Sequence, residues 1–182
     1  MYFDCIIAGF GGQGVMLMGN ILAHAAMEEK KKVTYMPVYG VEMRGGTANC
    51  TIIISDSAIG SPITRRPMSA IIMNRPSLDK FGAQVKKNGI LVVNTSLVPE
   101  KDIHYKGIQC LMVPGRDLAM DIGNDKLANM IILGAAVYKF GVVKLASLKK
   151  ALYSALDKRY HHMIEINTAA LERGAQFAEK GR

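Results

Sequence analysis

A three-layer α/β fold with a mostly parallel, Rossmann-like sheet is what this sequence predicts, and three features predict it. The chain opens as a strand, a glycine-rich loop and a helix. Further short β-branched runs follow, and stretches of helical periodicity gather in the C-terminal third. A strand, loop and helix returning to a strand sets up a parallel β-α-β unit, while the middle strands are left to pair in either direction.

Residues 2–8 (YFDCIIA) are aromatic and β-branched and end at Gly9, which reads as a buried first strand. Over residues 15–29 the apolar side chains Met18, Ile21, Leu22, Ala25 and Ala26 recur at helical spacing. Lys30, Lys31 and Lys32 then place cations where a helix C-terminus favours them. Residues 33–38 give a second strand with Pro37 near its end. Residues 40–46 (GVEMRGG) are a loop feeding the β-branched strand 47–55, and residues 56–67 turn irregularly. Residues 69–73 form a short strand before a helix that Ser77 is placed to cap. Two more strands lie at 89–94 and 108–113. Helical periods cover 126–140, 147–156 and 167–180, with Ser147 and Asn167 as N-caps and Gly141 just past the first.

At 182 residues, 49% hydrophobic and 21% charged, the chain is sized for one domain, residues 1–182, with a core that needs no disulfide or metal. Its apolar runs are broken by Gly, Pro or charge well short of the roughly 20 residues that cross a bilayer. The start MYFDCIIAGF carries an acid where a signal peptide carries its basic region, so a cytoplasmic protein away from the membrane is expected. Cys5, Cys50 and Cys110 stand far apart inside apolar stretches instead of in close pairs. They read as buried reduced thiols, and no metal site or iron-sulfur cluster is expected on this chain.

The net charge of +8 is spread over doublets and one triplet, such as Arg65-Arg66, Lys86-Lys87, Lys149-Lys150 and Lys158-Arg159. Neither an arginine-rich helix nor an aromatic stacking platform accompanies them, so nucleic acid is not the expected partner. Most of these charges suit a solvated surface, and the excess fits an acidic partner or a polyphosphate ligand.

Gly9-Phe10-Gly11-Gly12-Gln13-Gly14 fits GxGxxG and stands directly between a strand and a helix, the context in which that pattern binds phosphate. Glycines let the backbone turn and approach a ligand, Gly11 being the position expected to need positive φ. Free N–H groups and the dipole at the helix start attract anions. The same loop would also serve as a turn needed only for close packing. A dinucleotide site further requires an acid at the end of the second strand to hold the ribose hydroxyls, and VTYMPV has none. A phosphate-bearing ligand other than a standard dinucleotide fits better. Arg44, within YGVEMRGG, offers a bidentate guanidinium on the same rim; pairing with Glu42 or with a neighbouring subunit is the alternative.

Four blocks in order, GFGGQGVMLMGNILA, YGVEMRGGTANCTIIISDSAIGSPI, MNRPSLDKF and GNDKLANMIILGA, span most of the chain. Together they resemble the gamma subunits of 2-oxoacid:ferredoxin oxidoreductases. The form YGxEMRGGTANC is similar to the 2-oxoglutarate and branched-chain enzymes, with Val41 where that pattern has proline, whereas the indolepyruvate enzymes tend towards HGxxQRGG. The resemblance implies that a 2-oxoacid, coenzyme A and two oxidised ferredoxins give acyl-CoA, carbon dioxide and two reduced ferredoxins. It places thiamine diphosphate, Mg and the iron-sulfur clusters on companion alpha, beta and delta subunits, through which ferredoxin is reached. No catalytic residue is then expected on this chain. A glycine loop without a ribose-binding acid suits the diphosphate of coenzyme A, which makes Gly9, Gly11, Gly12, Gln13 and Gly14 candidate contacts, with Asn20 and Arg44 beside them.

Other residues carry less. His24, His161 and His162 read as capped or solvated, and Met16, Met18 and Met27 as core filler. Ser77 to Lys80 imitate a serine-lysine dyad that capping explains, and residues 124–130 read as packing or interface. The rival functions are a free-standing nucleotide-binding Rossmann-like domain, which would want the second-strand acid, and a basic nucleic-acid adaptor, whose affinity would fall steeply with salt.

Overall fold

The computed structural model describes residues 1–38 and 47–181. Along them run β1 (Tyr2–Phe10), α1 (Val15–Glu28), β2 (Lys32–Val38), β3 (Thr47–Ser55), β4 (Ser69–Ile72), α2 (Arg75–Phe81), β5 (Ile90–Asn94) and β6 (Gln109–Val113). The helices α3 (Gly115–Met120), α4 (Ala128–Phe140), α5 (Leu145–Ala155) and α6 (Ile164–Glu179) follow. The strands form one sheet in the order β2-β3-β1-β4-β5-β6.

The pairs β1-β4, β4-β5 and β5-β6 are parallel, as expected for a mostly parallel sheet. The opening unit differs in one respect. β2 does not lie beside β1, because β3 pairs antiparallel with both and stands between them. Val38 lies opposite Asn49 and Phe10 opposite Thr47, so the C-terminal ends of β1 and β2 share one edge of the sheet, two strand spacings apart. Pro37, which lacks an N–H, is accommodated because β2 is an outer strand.

Alternation along the strands sorts the core onto two faces. Ile7, Cys50, Ile52, Ile71 and Val92 pack with Met18, Ile21 and Leu22 of α1 and with Met130 and Leu133 of α4. Ile6, Ala8, Ala70, Ile72, Leu91 and Val93 face the other way and pack with Leu78 and Phe81 of α2. Helices therefore cover both faces of the sheet. α5 packs on α1, and α6 on α4, so the C-terminal helices form a second helical shell.

Several boundaries move for local reasons. Asn74, not Ser77, caps α2: its Oδ1 accepts from Ser77 N at 3.0 Å, with Pro76 in the first turn. α5 starts two residues before Ser147, with Lys144 as its N-cap. α6 starts three residues before Asn167, whose Nδ2 donates back to the Met163 carbonyl at 2.7 Å. The helix expected from Lys126 begins as a 3-10 turn, Asp125–Leu127, capped by Asn124, before α4. Gly141 ends α4 with φ 63°, as its position predicted. α3, six residues after Pro114, is too short to show a period in the sequence. Cys5 and Cys50 are buried, whereas Cys110 is only half-buried. Met18 is fully buried and Met16 partly so, but Met27 is 59% exposed and is not core. Among the described residues no helix is long and apolar enough to cross a membrane.

Candidate functional site

β1 and β4 are parallel neighbours whose following helices leave to opposite faces, α1 to one and α2 to the other. The two chain segments part at the C-terminal edge, where α/β sheets bind ligands. A cleft of about 520 Å³ opens there. Gly12, Gln13 and Gly14 form one wall, Met73 and Asn94 the floor, Arg116 and Leu97 another side, and Asp125, Lys126, Ala128 and Asn129 the side facing the glycine loop.

The loop is a tight turn closed by Gln13 N donating to the Phe10 carbonyl at 3.2 Å. Positive φ, expected at Gly11, falls instead on Gly12 (89°) and Gly14 (73°). Gly14 is the N-cap of α1 and has no side chain with which to satisfy the first N–H groups. A Cβ there would have to displace Asn129 Nδ2, and at φ 73° it would also be strained, so glycine suits the close approach of α1 and α4. α4 continues at the cleft from the 3-10 turn Asp125–Leu127, which Asn124 caps and which carries Asp125, whereas α1 has no acid in its first turn. The uncapped positive end of α1 and the first turn of α4 thus meet at one cavity.

The polar side chains present donors. Gln13 Oε1 accepts from Phe10 N at 2.6 Å and from Asn74 Nδ2 at 2.9 Å. Asn129 Oδ1 accepts from Met130 N at 2.9 Å, which turns its Nδ2 towards Gly14. Asp125 is the acid of the lining, and it pairs with Arg116 at 3.5 Å. Lys126 makes no ion pair among the described residues. The arrangement suits an anion with several acceptor oxygens, held by backbone N–H groups, amides and two cations.

Of the residues singled out in the sequence, Gly12, Gln13 and Gly14 line the cleft. Gly9 and Gly11 do not. Gly9 is a packing glycine, since a Cβ would lie 2.7 Å from Gln13 Oε1, 2.8 Å from Met73 Cβ and 2.9 Å from Val15 Cγ2. Gly11 is exposed and has open space around it. Asn20 is half-buried in α1, beyond the cleft. Arg44, with the rest of residues 39–46, lies outside the described residues. Asn94, Arg116, Lys126 and Asn129 were missed: residues 124–130 read as packing, although the fold carries Asp125, Lys126 and Asn129 to the glycine loop. Their signal was the block GNDKLAN itself, polar residues set directly before an apolar helix. His161 and His162 share a separate surface cleft with Lys149, Lys150 and Tyr153.

The missing ribose acid gains a topological reason. With β3 between β1 and β2, the end of the second strand stands about 10 Å from the end of β1, so no residue there is adjacent to the loop in the dinucleotide manner.

Residues 4–177 match the family described as pyruvate ferredoxin/flavodoxin oxidoreductase. The chain is 37% identical over 180 residues to the ketoisovalerate oxidoreductase subunit VorA of Methanothermobacter marburgensis, covering 96% of this chain and 36% of that protein. It is 29% identical over 180 residues to the 2-oxoglutarate synthase subunit KorC of Methanocaldococcus jannaschii, covering 96% and 92%. The chain therefore spans about a third of the length of VorA and nearly all of KorC. Its fold superposes on the gamma subunit of a keto/oxoacid ferredoxin oxidoreductase from Geobacter sulfurreducens with a TM-score of 0.84 at 29% identity, over 98% of this chain and 99% of that one.

Proposed function

This chain belongs to the pyruvate ferredoxin/flavodoxin oxidoreductase family, and from that premise we propose that it is the gamma-type subunit of a multi-subunit 2-oxoacid:ferredoxin oxidoreductase of the 2-oxoglutarate or branched-chain type. Residues 1–182 act as one domain, and the cleft beside Gly12, Gln13 and Gly14 takes the phosphates of coenzyme A. The observation that carries this reading is the meeting of the α1 and α4 N-termini with Arg116 and Lys126 around one donor-lined cavity.

In the overall reaction a 2-oxoacid, coenzyme A and two oxidised ferredoxins give acyl-CoA, carbon dioxide, two reduced ferredoxins and a proton. Thiamine diphosphate with Mg, carried by a companion chain, supplies carbanion stabilisation, and iron-sulfur clusters on companions carry the electrons. The residues of this chain bind and orient. Backbone N–H groups at Gly14 and the first turn of α1 hold one phosphate, and Gln13 and Asn129 add neutral donors. Arg116, paired with Asp125, and Lys126 neutralise charge at the mouth. Anchoring the nucleotide end leaves the thiol arm directed out of the open cleft towards the acyl-bearing companion. The absence of an acid for ribose hydroxyls, which counts against a free-standing dinucleotide domain, is compatible with this ligand.

Reconstitution tests the assignment. The purified chain, supplied with thiamine diphosphate, coenzyme A, 2-oxoacid and ferredoxin, is expected to reduce no ferredoxin, and mixing with its alpha, beta and delta companions is expected to give a co-eluting, coenzyme A-dependent enzyme. Turnover by the chain alone, or its elution as an unchanged monomer beside those companions, contradicts the reading.

A further inference from the structure

Asn74 is not itself a lining residue of the cleft and is 3% exposed, yet its side chain joins the two segments that part there. Its Oδ1 accepts from Ser77 N at 3.0 Å and starts α2. Its Nδ2 donates to Gln13 Oε1 at 2.9 Å. The same Gln13 oxygen accepts from the backbone N–H of Phe10 at 2.6 Å.

The chemistry of these partners fixes which way the Gln13 amide faces. Phe10 N can only donate, so the atom opposite it must be the amide oxygen. The Asn74 oxygen faces Ser77 N as the helix cap, which turns the other end of its amide towards Gln13. It therefore presents Nδ2, and the Gln13 oxygen is tied off twice. Gln13 Nε2, a double donor, is left without a partner among the described residues on a side chain that lines the cleft.

We infer that Asn74 is a positioning residue for the ligand: by its dual bond it locks the Gln13 amide with the nitrogen outward, so that the glycine-loop wall offers donors only and selects a ligand with acceptor oxygens. Without Asn74 one bond from Phe10 N remains, on a turn that ends in two positive-φ glycines, and the amide samples orientations that present its oxygen to the anion. α2 takes part through its cap: the bond that starts the helix also commits the Asn74 amide. This inference rests on the coenzyme A reading above, and the variants below separate the two.

The experiment measures coenzyme A affinity by calorimetric titration, and KM for coenzyme A against kcat, in the assembled enzyme. Asn74→Ser keeps a good helix cap and neutrality but removes the donor to Gln13. It is expected to weaken coenzyme A by about 3- to 10-fold, the range for one hydrogen bond, with kcat at saturating coenzyme A retained. Asn74→Asp keeps the cap and faces the Gln13 oxygen with a second acceptor, turning the amide over, and is expected to weaken binding at least as much. Gln13→Glu keeps the acceptor for Phe10 N and the bond from Asn74 while placing an anionic oxygen in the cleft, so it reports on the site alone; it is expected to weaken binding more than about 10-fold. If Gln13→Glu weakens binding and both Asn74 variants bind as wild type, the positioning role is overturned and the site stands. If Gln13→Glu binds as wild type, the loop does not hold the ligand and both readings fall. Should Asn74→Ser not assemble, Asn74→Asp decides alone, and unchanged affinity in it overturns the inference.

Discussion

Gly134 on α4 and Gly174 on α6 lock the two helices together reciprocally: a Cβ on Gly134 would overlap the Leu171 carbonyl, and one on Gly174 the Ile131 carbonyl. Each glycine meets the backbone of the other's helix, so the axes approach until no side chain separates them. That contact fixes α4, whose first turn supplies Asn129 to the cleft, and so links a packing feature of the C-terminal shell to the site.

Because the obstacle is backbone on both sides, neither clash is relieved by a rotamer change. Gly174→Ala is expected to destabilise the fold by about 2–3 kcal/mol, lowering the melting temperature by roughly 5–10 °C. Gly60→Ala, where the space is open and φ is not positive, is expected to stay within about 0.5 kcal/mol of wild type. Thermal unfolding followed by circular dichroism measures both, and equal melting temperatures for the two variants would contradict the packing argument.

The glycine loop separates in the same way. Gly11→Ala, in open space, is expected to leave stability and coenzyme A affinity near wild type. Gly14→Ala combines positive φ with the Asn129 side chain and is expected to cost about 1–2 kcal/mol and to displace the start of α1 or α4. Denaturant unfolding together with the coenzyme A dependence of turnover distinguishes them; a stable, fully active Gly14→Ala enzyme would show that the close approach of α1 and α4 is not needed.

Glu29 ties the end of α1 to the start of α5, its Oε1 accepting from Lys144 N at 2.6 Å and its Oε2 from Lys31 Nζ at 2.9 Å. Burial works against its charge, but bonds from Lys31, Lys144 and Ser147 outweigh that and hold its pKa below the usual 4.5. A carboxyl depressed in the folded state contributes stability that is complete above its unfolded pKa and is lost as pH falls through the folded value. Glu29→Gln is therefore expected to be less stable than wild type by about 1–3 kcal/mol at pH 7. The gap should close as the pH drops below about 4.5. Urea midpoints across that range test the sign, and a gap that widens on acidification would refute it.

Burial pushes the Cys50 thiol up to about 12, and Cys5 is also raised well above its ordinary value, by burial first and then by its neighbours Cys50 and Asp4. Both are expected to resist alkylation by iodoacetamide at pH 8 in the folded chain, while the half-buried Cys110 reacts first. Peptide mass spectrometry after timed labelling checks the order; early modification of Cys50 would mean that the β3 region opens far more readily than its packing implies.

Much of this was legible in the sequence because local chemistry and fold agree there. The β-branched run placed β3 at 47–55, and Gly141 marked the end of α4 because αL backbone favours glycine. The helix starts misled for the converse reason: Ser147 and Asn167 look like caps, but α5 and α6 start on residues with no capping side chain, since their apolar faces pack on α1 and α4 and decide where helix begins. Strand order was not legible, because nothing local in β3 says that it inserts between β1 and β2. Half of the candidate site followed from the glycine motif. The other half, Arg116, Lys126 and Asn129, comes from segments more than 100 residues away in sequence, and the block GNDKLAN that holds two of them carries no sign by itself that it meets the glycine loop.

The cleft as the coenzyme A site is tested most directly by titrating coenzyme A into the assembled enzyme with the charge at Lys126 reversed. Lys126→Glu sits in an exposed 3-10 turn where folding tolerates it. Reversing it exchanges an attractive charge beside the phosphates for a repulsive one. At low salt the dissociation constant is expected to rise by about 10-fold or more, with the difference shrinking as ionic strength increases. An unchanged dissociation constant at low salt, in an enzyme that assembles and decarboxylates as wild type does, would place coenzyme A on another subunit.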